Sequence, residues 1–273
     1  MARIRPLIGQ VAVVTGAASG IGRSLAQLLD RKGCPVALCD VDEQGLKETA
    51  SRLQRTPFTS VVDVADRGAM ARFAADVHEA HGRADLVINN AGVDVSQTVA
   101  GMTYEDFDWL MGVNFWGVVH GTKEFLPGML ERRHGTIVNI SSIFGIFAFP
   151  THSAYCASKF AVRGFTESLR SELHDTGVSA VLVHPGGIAT NIVHNSRFYV
   201  DDLGDGDKDE MAAQFTKIAR TSPDQAAATI VDGVEKGRRK ILVGVDAKAA
   251  DKLARLSPVR YFEVIRRLSL IHI

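Results

Sequence analysis

The chain has 273 residues, 46% of them apolar and 23% charged, and its formal net charge at neutral pH is zero. That is an ordinary globular composition with ample material for a core, and it gives no electrostatic reason to expect a nucleic-acid partner. Three cysteines lack disulfide-framework or zinc spacing, and no apolar run suits a signal sequence or membrane span, so a cytoplasmic protein without a metal is expected.

Gln10–Thr15 (QVAVVT) is a short β-branched run with the character of a buried parallel strand. It leads straight into Gly16-Ala17-Ala18-Ser19-Gly20-Ile21-Gly22, and a helical pattern follows that stops at Gly33. Strand, glycine turn and helix in that order bring backbone N–H groups and a helix N-terminus to a pyrophosphate. The spacing is GxxxGxG instead of the commoner GxGxxG.

A second strand, Pro35–Asp40 (PVALCD), ends in an acid placed to accept hydrogen bonds from adenosine ribose hydroxyls. Asp40 also opposes a 2′-phosphate: like charges ~4 Å apart at an effective dielectric of about 20 repel by about 4 kcal/mol. Asp42 adds negative charge, and Ala17, Ala18 and Val41 supply no basic side chain, so NAD is expected over NADP. Cys34 and Cys39 read as buried thiols of this strand region.

Phe58–Val62 is a third strand, closed by Asp63-Val64, and Asp66 begins an amphipathic stretch that stops at Gly82. Asp85–Asn89 is a fourth, followed by Asn90-Ala91-Gly92, small enough for a ligand to approach the backbone and with an asparagine able to tie strands together. Thr103–Asp106 resembles a capping box with Asp in place of Glu. The helix it opens carries Asn114 inside the apolar run VNFWGVV, where an amide is costly unless it bonds something.

Thr136–Ser141 is a fifth strand, with Ser142 at its C-terminal end, where open α/β sheets place their ligand crevice. Tyr155 then opens a helix, and Lys159 follows one turn later, about 5–6 Å away at Cβ. An ammonium there favours the phenolate and lowers a phenol pKa that starts at about 10, as an acid/base near neutral pH requires. His152 and Cys156 flank the tyrosine with no orienting acid evident and read as packing or rim residues. Val178–Val183 is a sixth strand, ending in His184, read as core or strand end, and Pro185-Gly186-Gly187-Ile188-Ala189-Thr190.

Residues 191–220 are polar, with no strand signal, and read either as a solvated loop or as a substrate lid with apolar contacts from Ile192, Val193, Phe198, Tyr199 and Leu203. Ser222-Pro223-Asp224-Gln225 starts a helix, and Lys240–Gly244 is a seventh strand. The tail 258–273 sets Val259, Phe262, Ile265 and Leu268 on one face, a stripe suited to packing on the same or a neighbouring subunit; contact with a membrane surface is the lesser alternative. No repeats or linkers divide the chain, so one domain spanning 1–273 is expected.

In order and spacing, TGAASGIG (Thr15–Gly22), Asp63, NNAG (Asn89–Gly92), Asn114, Ser142, YCASK (Tyr155–Lys159) and PGGIAT (Pro185–Thr190) closely resemble the short-chain dehydrogenase/reductase family. The resemblance runs from about Gln10 to Thr190 and informs nothing beyond. It implies an α/β doubly wound parallel sheet (a Rossmann fold) of strand order 3-2-1-4-5-6-7, with NAD(P) across its C-terminal edge. It implies Tyr155 as acid/base, Lys159 lowering its pKa and holding the nicotinamide ribose, and Ser142 hydrogen-bonded to the substrate oxygen. Asn114 would support a water-linked proton path from Lys159. Asp63 and Val64 would flank the adenine, and Ile188 and Thr190 the carboxamide. A homodimer or homotetramer is implied, through the helices holding Asn114 and Tyr155. The expected activity is interconversion of a secondary alcohol and a ketone. The apolar run IFGIFAF after Ser142 points to a lipophilic substrate such as a steroid, retinoid or long-chain alcohol. A dinucleotide-binding redox sensor without turnover is the alternative.

Overall fold

The computed structural model describes residues 6–190, 192, 196–200, 219–261 and 263. Its strands, in chain order, are β1 (Ala12–Thr15), β2 (Val36–Asp40), β3 (Phe58–Val61), β4 (Leu86–Asn89), β5 (Val95–Ser96), β6 (Gly135–Ile140), β7 (Val178–Pro185), β8 (Arg197–Phe198) and β9 (Lys240–Val243). Seven of them form one parallel sheet of order β3-β2-β1-β4-β6-β7-β9, while β5 and β8 make a separate parallel pair. With that short pair set aside, the order is the expected 3-2-1-4-5-6-7.

Helices cover both faces: α1 (Gly20–Arg31), α2 (Glu43–Ser51), α3 (Arg67–His81), α4 (Tyr104–Met111), α5 (Gly117–Arg132), α6 (Ser153–Glu172), α7 (Pro223–Glu235) and α8 (Val245–Leu256). Because successive strand side chains point to opposite faces, Ala12 and Val14 of β1 join a core with α1 and α7, while Val13 joins one with α3, α5 and α6. Burial on both faces explains why the strands read as unbroken apolar runs.

Local chemistry sets the helix ends. The Asp66 carboxylate accepts from the Gly68 and Ala69 amides, and Gly82 closes α3 in the left-handed region at φ 73°. Ser222 and Gln225 form a complete capping box, with Pro223 at the first helical position of α7.

The structure differs from the sequence reading at four places. Thr103 does cap α4, but Asp106 does not reach back to its amide. The Asp106 carboxylate instead accepts from the Thr103 hydroxyl at 2.9 Å and from Arg197 at 2.8 Å. Asn114 lies in a π-helical turn, Gly112–Trp116, between α4 and α5, not in a uniform α-helix. The region taken as free of strands contains β8, which pairs Arg197 with Val95 and Phe198 with Ser96. Helix α8 had no counterpart among the expected elements.

Most of the expected lid, 191–220, and most of the tail, 258–273, fall outside the described residues, including Val193, Leu203, Phe262, Ile265 and Leu268. Val259, which is described, is exposed. Among the described residues no helix is long and apolar enough to cross a membrane.

Candidate active site

The glycine turn after β1 is shaped by two left-handed backbone positions, Gly16 at φ 65° and Gly20 at φ 53°. A Cβ on Gly16 would sit 2.7 Å from Ala91 Cα. One on Gly22 would collide with the Gly16 carbonyl, so the first turn of α1 lies directly on the loop. Ser19 is the N-cap of α1 and makes no side-chain cap bond; Ile21 packs partly on the core. The neighbouring strand end is bolted on. Thr15 Oγ1 accepts from the Asn90 amide at 2.9 Å and the Ala91 amide at 3.0 Å, and Asn90 Nδ2 donates to Thr15 O at 2.9 Å.

Asp40 ends β2 beside this turn, and its Oδ2 accepts from the Ala18 amide at 2.9 Å. Asp63 is exposed and accepts from the Ala65 amide, and Val64 is buried against Gly117. On the other side, Pro185 ends β7, and the Gly186 amide donates to Val243 O at 2.9 Å. Ile188 is buried, and Thr190 lies against Gly20, within 3.2 Å of where a Cβ would stand. The sequence-distant stretches Gly16–Gly22, Asp40, Asn90–Gly92 and Pro185–Thr190 therefore meet around the C-terminal edge of the sheet. A bare-backbone cradle at a helix N-terminus with an acid at its edge fits a dinucleotide's phosphates and ribose.

Farther along the edge, Asn114, Ser142, Tyr155 and Lys159 come together. Asn114 is fully buried. Its Oδ1 accepts from the Val93 amide at 2.8 Å, and its Nδ2 donates to Val93 O at 2.9 Å and Ser158 Oγ at 3.2 Å. The π-turn aims this amide at the β4 loop. Asn114 Oδ1 and Lys159 Nζ would both stand 3.3 Å from a Cβ on Gly92, so they flank one small residue. Ser142 caps the 3-10 turn that follows β6, with Oγ accepting from the Phe144 amide at 3.1 Å, and its hydroxyl lies near enough to the Tyr155 phenol to favour the phenolate. Lys159 Nζ stands 5.4 Å from the Tyr155 ring centroid and donates to Ile140 O at 3.4 Å.

The electrostatics differ from the expectation for Tyr155. Burial pushes its phenol well above the ordinary value, the Asp94 carboxylate adds to this, and the nearby Ser142 hydroxyl opposes it. Lys159 does not reverse the direction: burial lowers its own pKa to about 8, opposed by Asp94. Spacing on a helix reports proximity, but desolvation of both groups outweighs their attraction here.

Three features escaped the sequence reading. An acid does stand beside His152: Asp94 Oδ1 is 3.3 Å from its Nδ1. Asp94 lies 58 residues away along the chain, and no local pattern connects the two. Arg23 reaches the Ala18 carbonyl, but it is engaged by Thr49, Gly45 and Glu48 as well. Asp246 of α8 accepts from the Gly187 amide at 2.6 Å and so holds the Pro185–Thr190 loop. Cys156 packs as expected, and among the described residues no cluster of His, Cys, Asp or Glu could hold a metal ion.

Residues 10–198 match the family model described as short chain dehydrogenase. The chain belongs to the short-chain dehydrogenase family. SadH of Mycobacterium tuberculosis, provisionally named an oxidoreductase, is 44% identical over 266 residues and 94% of each chain. Dehydrogenase/reductase SDR family member 7B of Mus musculus is 34% identical, over 85% of this chain and 72% of that one. A short-chain dehydrogenase/reductase from Burkholderia phymatum in complex with NAD superposes with a TM-score of 0.85 at 28% identity, covering 92% of this chain and 94% of that one. A metagenomic short-chain oxidoreductase in complex with NADP gives a TM-score of 0.70 at 29% identity, covering 88% and 98%. The short-chain dehydrogenase fold and an NAD(P) cofactor class follow for this oxidoreductase.

Proposed function

We propose that the protein is an NAD-dependent dehydrogenase that interconverts a lipophilic secondary alcohol and its ketone. The convergence of Ser142, Tyr155, Lys159 and Asn114 beside a dinucleotide-shaped cradle carries this reading. When bound, the nicotinamide ring supplies the hydride acceptor in oxidation and the hydride donor in reduction.

Tyr155 handles the proton. In reduction its neutral phenol protonates the developing alkoxide, and burial holds it in that form. In oxidation the phenolate takes the alcohol proton as the C–H bond breaks. The Ser142 hydroxyl orients the same oxygen, and the Lys159 ammonium favours the phenolate and holds the nicotinamide ribose. Asn114 keeps the Val93 backbone in place and supports proton exchange past Gly92. Asp40 selects NAD: its oxygens each accept one backbone amide, from Ala18 at 2.9 Å and Asp42 at 3.1 Å, and each keeps a second lone pair for a ribose hydroxyl, while the charge repels a 2′-phosphate. Ser19, Ile21, Gly22, Asn90, Ala91, Gly92, Asp63, Val64, Gly186, Ile188 and Thr190 line the cofactor path on this reading.

Phe144 supports the lipophilic substrate. Its ring lies 5.5 Å from both Phe147 and Phe149 and 6.0 Å from Tyr155, so an aromatic wall stands beside the proposed reacting group. We further read the chain as one domain with 191–220 over the substrate, and a homo-oligomer in the cytoplasm. A panel of secondary alcohols graded by size and polarity, assayed with NAD and NADP separately, tests the reading. Efficiency should rise with apolar surface and with NAD; preference for small charged alcohols or for NADP would overturn it.

A further inference from the structure

Two polar side chains stand in the aromatic wall. Asp94 and His152 side chains are 12% and 13% exposed, and Nδ1 and Oδ1 are 3.3 Å apart. The same carboxylate oxygen accepts from the Val95 amide at 2.9 Å. The backbone around the pair is tied as well, Gln97 N to Thr151 O at 2.8 Å and Arg197 N to Asp94 O at 3.0 Å. The imidazole lies 5.6 Å from Phe144 and 6.1 Å from Phe149, so Phe144 borders both the imidazole and the Tyr155 phenol.

Placing a carboxylate and an imidazole among aromatic rings costs free energy that an apolar pair would not. Once Nδ1–H is donated to Asp94, Nε2 is the ring atom left to meet a ligand, accepting from a hydroxyl when neutral and donating when protonated. Among the described residues the ring's one hydrogen bond is that of Nδ1 with Asp94. His152 precedes Tyr155 by three residues at the start of α6, a spacing that sets Cβ atoms roughly 5–6 Å apart.

We propose that His152, oriented by Asp94, is a specificity-determining residue that binds a second oxygen substituent of the substrate, about one helical turn from the reacting oxygen. The inference rests on the dehydrogenase reading and narrows its substrates to lipophilic alcohols and ketones with two oxygen functions. A mere tether between the β4 loop and α6 would change stability but not the ranking of substrates.

The test compares decan-2-ol with decanediols whose second hydroxyl lies two to five carbons farther along, by kcat/KM and by calorimetric binding to the protein–NADH complex. Wild type should favour at least one diol by about 10- to 100-fold. His152→Phe, which suits the aromatic surroundings, should bring that ratio to about one whatever its absolute activity, and His152→Gln should recover part of it. Asp94→Asn should weaken the ratio without raising it for another diol. No diol preference in wild type, or one that survives His152→Phe, overturns the proposal. If no alcohol is turned over, the dehydrogenase reading fails instead, and the binding ratio still decides: loss in His152→Phe supports the proposal, no change sinks it.

Discussion

His184 Nδ1 donates a 2.7 Å hydrogen bond to the backbone carbonyl of Ser142. The ring is fully buried at the end of β7, and among the described residues its Nε2 has no partner. Burial lowers its pKa to about 4, so the native state holds it neutral while the unfolded chain takes up a proton near the ordinary value of 6.5. The folded pKa is the lower one, so stability is complete above about pH 6.5 and falls as pH drops towards 4. Urea unfolding should show roughly 2 kcal/mol less stability at about pH 5 than at about pH 7, and His184→Asn should lose most of that dependence. An equal slope in the variant would contradict the assignment.

Lys159 is 3% exposed; among the described residues it makes one long hydrogen bond, to Ile140 O at 3.4 Å, and no salt bridge, so its ammonium is desolvated. With its pKa lowered to about 8, it weighs on the cofactor-free fold at neutral pH, and that cost fades as pH rises from about 8 towards 10.5. Lys159→Met should therefore raise the stability of the cofactor-free protein by roughly 1–3 kcal/mol at neutral pH while abolishing turnover. A melting temperature lower than wild type would count against this.

How far this site could be read from sequence varies residue by residue. Val13, Val87 and Ile137 announced the sheet because strands buried on both faces must be apolar, and Ser222 and Gly82 announced helix ends through local hydrogen bonds. The paired motifs, from Gly16 to Thr190, signalled a crevice because each sits just past a strand. What stayed hidden depended on contacts across the fold. The Asp94–His152 pair, the hold of Asp246 on Gly187 and the Asp106–Arg197 ion pair all join segments far apart in the chain. The π-turn at Asn114 was equally hidden, since an extra residue per turn leaves no local composition signal. The raised Tyr155 phenol shows the same limit in energies, because desolvation is a property of the packed site.

Beneath the site a buried polar chain crosses the sheet. Asn89 Nδ2 donates to Asn139 Oδ1 at 2.8 Å, and Asn139 Nδ2 donates to Thr166 Oγ1 at 3.0 Å, joining β4, β6 and α6. Asn139→Leu keeps the branching at Cγ in a larger side chain, and it takes one partner from Asn89, which keeps Thr122 Oγ1 at 3.3 Å, and one from Thr166. It should cost about 2–3 kcal/mol in chemical denaturation. A loss under about 0.5 kcal/mol would mean that the network is replaceable.

Asp40 is where cofactor choice should be sensitive. Asp40→Ala removes the charge that opposes a 2′-phosphate and the acceptor of the Ala18 amide. The ratio of kcat/KM for NAD over NADP should fall by about 10- to 1,000-fold, mostly through KM for NAD and gain with NADP. An unchanged ratio would move the discrimination to another residue, with Arg23 the first to test.

The central claim is that Tyr155 transfers the proton in a dinucleotide-linked oxidation. Nicotinamide absorbance should be followed with lipophilic secondary alcohols and NAD, comparing wild type with Tyr155→Phe, which keeps the ring and removes the hydroxyl. The account predicts turnover in wild type that drops by about a thousandfold in the variant, with NADH binding retained. Turnover that persists in Tyr155→Phe would contradict it, and so would tight NADH binding without oxidation of any alcohol by wild type, the behaviour of a dinucleotide sensor.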